Sequence, residues 1–280
     1  MKEYLRILRN VRENGTLKHN RTGIDTYSIT GEIFKFDMSK GEFPLLTTKK
    51  MPPKCIFAEL EGFIKGITSK QWYKDRKCEI WSEWANPQKV PYGNDAETKA
   101  RMAAEDDLGL IYGYQWSNFN GDGINQLDNA IKTLKTNPTD RRMIVMAWNP
   151  CQLDQMALPP CHFGFHLLSD GEYLDLCWFQ RSVDTFLGLP FNIASYAMLL
   201  KLIARETGLK ERMLVGHLDD VHLYANQIEQ ADVQLSRDPF PLPKMIIPEG
   251  EDNSIYSWEY TNFELVDYQC HGKLIAEVAV

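Results

Sequence analysis

Apolar side chains recur at Tyr4, Leu5, Leu8 and Val11, which predicts an amphipathic helix over Glu3 to Asn14 with Gly15 as its stop. Thr26 to Phe36 is rich in β-branched and aromatic residues and predicts a strand. Pro52-Pro53 suits a helix start, and Ile56, Leu60, Phe63 and Ile64 give that helix an apolar face. Residues Gln88 to Asp107 are polar and weakly patterned, a surface insertion with a helical stretch over Ala96 to Ala104. Ile124 to Lys135 repeats the helical pattern through Leu127, Ile131 and Leu134.

The second half alternates differently. Met143 to Trp148, Phe163 to Leu168 and Tyr173 to Phe179 predict strands, with Asp170-Gly171 as the turn between the last two. Phe191 to Glu206 is apolar nearly all round and predicts a buried central helix ending at Gly208. A further helix is expected over His222 to Leu235, and strand-like segments over Phe263 to Val266 and Leu274 to Val278. Strands and helices mix without strict alternation, so the fold class is α/β in the broad, α+β sense.

Composition narrows the function classes. A chain of 280 residues that is 44% hydrophobic supports one large domain with a real core. A net charge of −7 argues against broad phosphate neutralisation on nucleic acid, though not against a local basic pocket for one small anion. No run of about 18 apolar residues suggests a membrane span, and the first residues lack a signal core. The cysteines at 55, 78, 151, 161, 177 and 270 are scattered without a CxxC pair, which reads as reduced thiols in a cytoplasmic protein, with no metal expected.

The segment Leu158-Pro159-Pro160-Cys161-His162 carries the first candidate chemistry. Two prolines stiffen the backbone just ahead of a cysteine at a strand start. A nucleophilic cysteine needs nearby positive charge to favour its thiolate. His162 is adjacent, but neighbours on a strand point to opposite faces, so Arg181 is the better partner if the strands fold back together. Glu59 falls on the apolar face of its helix, where a carboxylate is costly without partners.

Longer blocks surround these residues: Arg141 to Pro150 (RRMIVMAWNP), Ala157 to His162 (ALPPCH), Gln180 to Asp184 (QRSVD) and Leu187 to Ala197 (LGLPFNIASYA). In order and spacing they resemble the thymidylate synthase family, from about Arg21 to Val280, with residues 85–108 as the main interruption. The resemblance implies one catalytic domain over 1–280: a large mixed sheet flanked by helices and packed at a homodimer interface. It implies reductive methylation of dUMP to dTMP, with 5,10-methylenetetrahydrofolate as co-substrate and dihydrofolate as by-product.

The residue roles follow from the same resemblance. Cys161 would attack carbon 6 of uracil, which turns carbon 5 into an enolate carbon able to attack the one-carbon unit. Asn192 would read the N3–H and O4 edge, since an amide offers donor and acceptor; a carboxylate there suits cytosine, as in related dCMP hydroxymethylases. Arg21, Arg181, Ser182 and, from a second subunit, Arg141 and Arg142 would hold the phosphate. Gln180 joins the substrate set, and His222 and Tyr224 would bond the deoxyribose hydroxyl. Glu59 would organise proton transfers, and Tyr112 would serve removal of the carbon 5 proton. Ile80, Trp81, Trp84, Leu158, Leu187, Gly188 and Phe191 would form the folate wall, Asp184 would bond the pterin, and Lys49 would meet the glutamate tail. Ala279 belongs to a C-terminal tail expected to close over the folate and exclude water.

Several positions depart from the common pattern: Glu61-Gly62 for Leu-Trp, Ser82 for Asp, His166 for Gln, Ser117 for Arg, and Asp219-Asp220 for Gly-Asp. Glu59-Leu60-Glu61 matches a pattern in some related phage hydroxymethylases. That leaves 5-hydroxymethyl-dUMP as the alternative product.

Overall fold

The structure, a computed structural model, describes residues 1–20, 22–248 and 252–277. Arg21 and the tail 278–280, including Ala279, lie outside them. The chain is one α/β domain around a six-stranded sheet. Strand β1 spans Thr16–Lys18, β2 Thr26–Asp37, β3 Ile144–Met146, β4 His162–Ser169, β5 Tyr173–Asp184 and β6 Lys210–Tyr224, in the order β1-β2-β6-β5-β4-β3. All neighbours pair antiparallel except β5 and β6. A parallel pair needs a crossover, and the long helix between those two strands provides it. Strands β7 (Lys244–Ile246) and β8 (Glu264–Val266) form a separate ribbon.

Helix α1 (Lys2–Asn14) buries the predicted Tyr4, Leu5, Leu8 and Val11 together with Ile7. Gly15 follows, but its φ is −65°; a Cβ there would lie 2.5 Å from the Val11 carbonyl oxygen, so the glycine serves close approach rather than a left-handed turn. Helix α2 (Pro53–Ile64) starts on Pro53 as expected and is buried on almost every side. Helix α3 (Lys70–Asp75) and helix α5 (Tyr112–Ser117) are short, too short for a periodic signal. Helix α4 (Ala96–Ala104) has the predicted bounds, and α6 (Gln126–Thr136) starts behind an Asn125 cap. Helix α7 (Gly188–Thr207) crosses from β5 to β6 and ends on Gly208 in the left-handed region, φ 73°. It begins three residues before the expected Phe191, because Asp184 Oδ1 accepts from the Phe186 and Leu187 amides and organises the turn ahead of it.

Two expectations fail. His222 to Leu235 is not one helix: His222 and Tyr224 end β6, paired with Ser28 and Thr26 of β2, Ala225–Gln227 form a 3-10 turn, and the α-helix α8 spans Ile228–Leu235. The ladder satisfies these backbone groups before a helix would. Residues 274–277 form no strand, and Val278 is outside the described residues. The core lies between α7 and the sheet, where Trp178 stacks on Tyr196 at 5.4 Å and 10°. Among the described residues no helix is long and apolar enough to cross a membrane.

Candidate active site

Strand register brings one end of the sheet together. His162 pairs with Gln180, Gln180 with Leu218, Ser182 with Asp220, Asp184 with His222, and His222 with Ser28. The candidates at 161, 180–184 and 222–224, distant in sequence, therefore share one end of the sheet. Asn192 joins them from the first turns of α7.

Cys161 sits half-buried just ahead of β4. Its amide donates to the Tyr112 hydroxyl oxygen at 2.8 Å, and its carbonyl accepts from the Arg181 amide at 2.9 Å. The Arg181 fork donates through Nε to the Pro160 carbonyl and through Nη2 to the Pro159 carbonyl, both at 2.9 Å. Its far face lies over Trp148, 5.3 Å from the ring centroid. Two of five guanidinium donors thus lock a permanent positive charge along the run that carries the cysteine. Prolines lack an amide donor but keep their carbonyls, which is what Arg181 uses.

His162 goes the other way, as strand alternation requires. It is buried, stacked on Tyr112 at 4.3 Å, with Nδ1 2.9 Å from the Tyr196 hydroxyl. Burial lowers its pKa to about 3, so it is neutral and packed. Tyr196 has no place among the sequence candidates; only its interior position on α7 hinted at a partner.

Glu59 is buried on α2, and burial pushes its carboxyl up to about 7 against the opposing effect of a hydrogen bond from Trp81. That indole Nε1 donates to Oε1 at 3.0 Å. Trp81 also meets Tyr112 edge-on at 6.1 Å, which connects the carboxyl to the tyrosine beside Cys161. A proton-exchanging group poised near neutrality is thereby one aromatic layer from a candidate nucleophile.

A relay fixes the Asn192 amide. The Trp178 indole can only donate, and it donates to Gln180 Oε1 at 3.1 Å. Gln180 Nε2 must then be the end that faces Asn192, and it donates to Oδ1 at 3.0 Å. The Asn192 Nδ2 amine is turned the other way. Trp178 sits two residues before Gln180 on the same strand face, a spacing visible in sequence but without chemical meaning until the helix is placed.

The remaining candidates divide. Leu158, Leu187, Gly188, Phe191 and Trp84 are half-buried, Trp81 is buried and Ile80 is exposed. His222 is buried, with Tyr224 edge-on at 5.2 Å. Lys49 is buried rather than held out to solvent. Its ammonium donates to the Phe186 carbonyl, lies 3.8 Å over the Phe186 ring, and is lowered to about 8 by burial against the pull of Asp184. Arg141 and Arg142 are exposed and stand apart. The Arg141 carbonyl is 3.0 Å from His166 Nε2, and His166 lies four strand positions from His162, roughly 13 Å along β4. Arg142 pairs with its neighbour Asp140 at 2.6 Å and holds that carboxyl down to about 2.

Among known families, the one described as "Thymidylate synthase" matches residues 2–280. With essentially the whole chain matched, the protein belongs to the thymidylate synthase family.

Proposed function

We propose that the protein converts dUMP to dTMP with 5,10-methylenetetrahydrofolate as carbon and hydride donor. The observation that carries this is the pairing of Cys161, with Arg181 locked along its backbone run, and a buried Glu59 poised near pH 7. A thiolate at Cys161 adds to carbon 6 of the ring, and the pyrimidine takes the electron pair as an enolate. Asn192, held by Gln180, meets the O4 and N3 edge where that charge develops. Glu59 exchanges protons with the ring through ordered water, and Tyr112, whose hydroxyl accepts from the Cys161 amide, serves removal of the carbon 5 proton. Trp81, Leu158, Leu187 and Phe191 offer the folate ring an apolar face and keep water from the reacting carbon.

The proposal includes a homodimer. Arg141 and Arg142 are exposed, with the Arg141 carbonyl beside His166, and are assigned here to the phosphate site of a partner. Ile33 and Ile144, each 47% exposed, belong to the same sheet as half-buried Phe163 and Phe179, a surface apolar enough for a second sheet. Mixing Cys161→Ser protein with an Arg141→Ala/Arg142→Ala double variant is expected to restore about a quarter of wild-type activity through hybrid dimers. No recovery would remove the shared-site dimer.

The alternative, hydroxymethylation, is suggested by Glu59-Leu60-Glu61. Against it, Glu61 is engaged away from the pocket. Lys65 bonds one oxygen at 2.6 Å, Arg76 and the Tyr260 amide approach the other at 3.7 and 3.0 Å, and the side chain is buried. It is not positioned to activate a water on the one-carbon unit. Product mass decides: a methyl gain supports the synthase, and a hydroxymethyl gain overturns it.

A further inference from the structure

Segment 85–108 has its own small core of Ala85, Val90 and Met102, and its ends meet where the Asn86 amide donates to the Asp107 carbonyl at 2.8 Å. It covers the back of the Trp81–Trp84 stretch, and its Tyr92 stacks on Trp84 at 6.0 Å and 21°. Between these parts lies Lys70, only 2% exposed. Its ammonium donates to three main-chain carbonyls: Met102 at 2.6 Å, Trp84 at 2.8 Å and Ser82 at 3.3 Å.

Three donors meet three acceptors, so the buried cation is fully hydrogen-bonded. The Met102 carbonyl is among the last four of α4, which have no partner within their helix and carry the negative end of its dipole. The Ser82 and Trp84 carbonyls flank the turn that presents Trp81 to Glu59. A buried cation is costly unless its donors are satisfied, and this one ties the turn at residues 82–84 to the C-terminal end of α4.

We propose that Lys70 is a positioning residue for the folate side of the site. It clamps segment 85–108 as a buttress behind Trp81 and Trp84, and so fixes the wall against which the co-substrate stacks. The inference rests on the functional reading above.

Lys70→Met is expected to raise KM for methylenetetrahydrofolate about tenfold, with Kd for dUMP within twofold of wild type. Amides of residues 82–86 should exchange with deuterium about tenfold faster. Replacing residues 88–105 by Gly-Ser-Gly keeps Lys70 but removes the Met102 carbonyl; a rise of about fivefold in the same KM is expected. That variant decides the matter if Lys70→Met does not fold. The proposal is overturned if folate KM stays within twofold of wild type, or if folate and dUMP affinity fall in equal proportion. Wild-type protein that turns over no dUMP would sink the functional reading, while the exchange measurement would still report on the clamp.

Discussion

The two halves of the proposed site, one for the nucleotide and one for the folate, are built by different means. On the nucleotide side, Cys161, Gln180, Ser182, Asp184 and His222 hold their places through ladder hydrogen bonds of four strands, with α7 laid over them. On the folate side, Trp81 and Trp84 belong to a turn outside any strand, held by the Lys70 ammonium and the Glu59 carboxyl. A ladder distributes its stability over many backbone bonds, whereas a clamp concentrates it in one side chain. The nucleotide side should therefore lose chemistry on substitution while keeping its shape. The folate side should lose shape first, and with it only co-substrate affinity.

The sharpest test of the first half is Cys161→Ser. Turnover is expected to fall about 10⁴-fold or more, since the hydroxyl is a far weaker nucleophile at the same place. Binding of dUMP, measured by calorimetry, should change little. A large loss of dUMP affinity would mean that the thiol holds the site together, against the ladder picture.

Glu59 stands where the halves touch, and Glu59→Gln is expected to lower kcat by about 10²- to 10³-fold. The pH dependence has a definite sign. The folded carboxyl, near 7, lies above its unfolded value of 4.5, so the native state binds the extra proton between those values. Stability from this group is complete below about pH 4.5 and is lost as pH rises through 7. Relative to wild type, Glu59→Gln should gain about 3 kcal/mol in denaturant unfolding between those limits, at 1.36 kcal/mol per pH unit. A flat difference would mean that the carboxyl is hydrated and that the folate side is not dry.

Much of this was legible in sequence, for physical reasons that differ by element. The apolar faces of α1, α2 and α6 follow from local periodicity. Strand β6 did not announce itself. Arg212, Gly216, His217, Asp219 and Asp220 break its alternation, and its partners are Tyr173 to Asp184 and Thr26 to Asp37, far off in sequence. The same non-local pairing overrode the helical pattern after His222. In the site, residue types pointed to Cys161 and Glu59 and the longer sequence blocks to Asn192, but the orienting contacts from Trp178, Tyr196 and Lys70 depend on chain crossings that no spacing encodes.

On the nucleotide side, Asn192→Asp tests the relay. A carboxylate still accepts from Gln180 but offers no donor to O4. We expect kcat/KM for dUMP to fall about 100-fold and dCMP to become a substrate, measured by competition between the two. If dUMP turnover is untouched and dCMP is still refused, Asn192 does not read the ring.

The smallest effect belongs to Gly62, inside α2. A Cβ on Gly62 would lie 2.3 to 2.5 Å from the ring and hydroxyl of Tyr73. Tyr73 is fully buried on α3 and donates to the Ile67 carbonyl at 3.1 Å, so it has little room to retreat. Gly62→Ala gains about 1 kcal/mol of helix propensity but adds an overpacking cost of about 2 to 3 kcal/mol. A net loss of about 1 to 2 kcal/mol is expected from the urea midpoint. Because Tyr73 shares its short helix with Lys70, the displacement should travel to the clamp, raising folate KM two- to threefold while dUMP affinity holds. Equal weakening of both substrates would show the two halves to be one mechanical unit, and the contrast between ladder and clamp would fail at its most sensitive point.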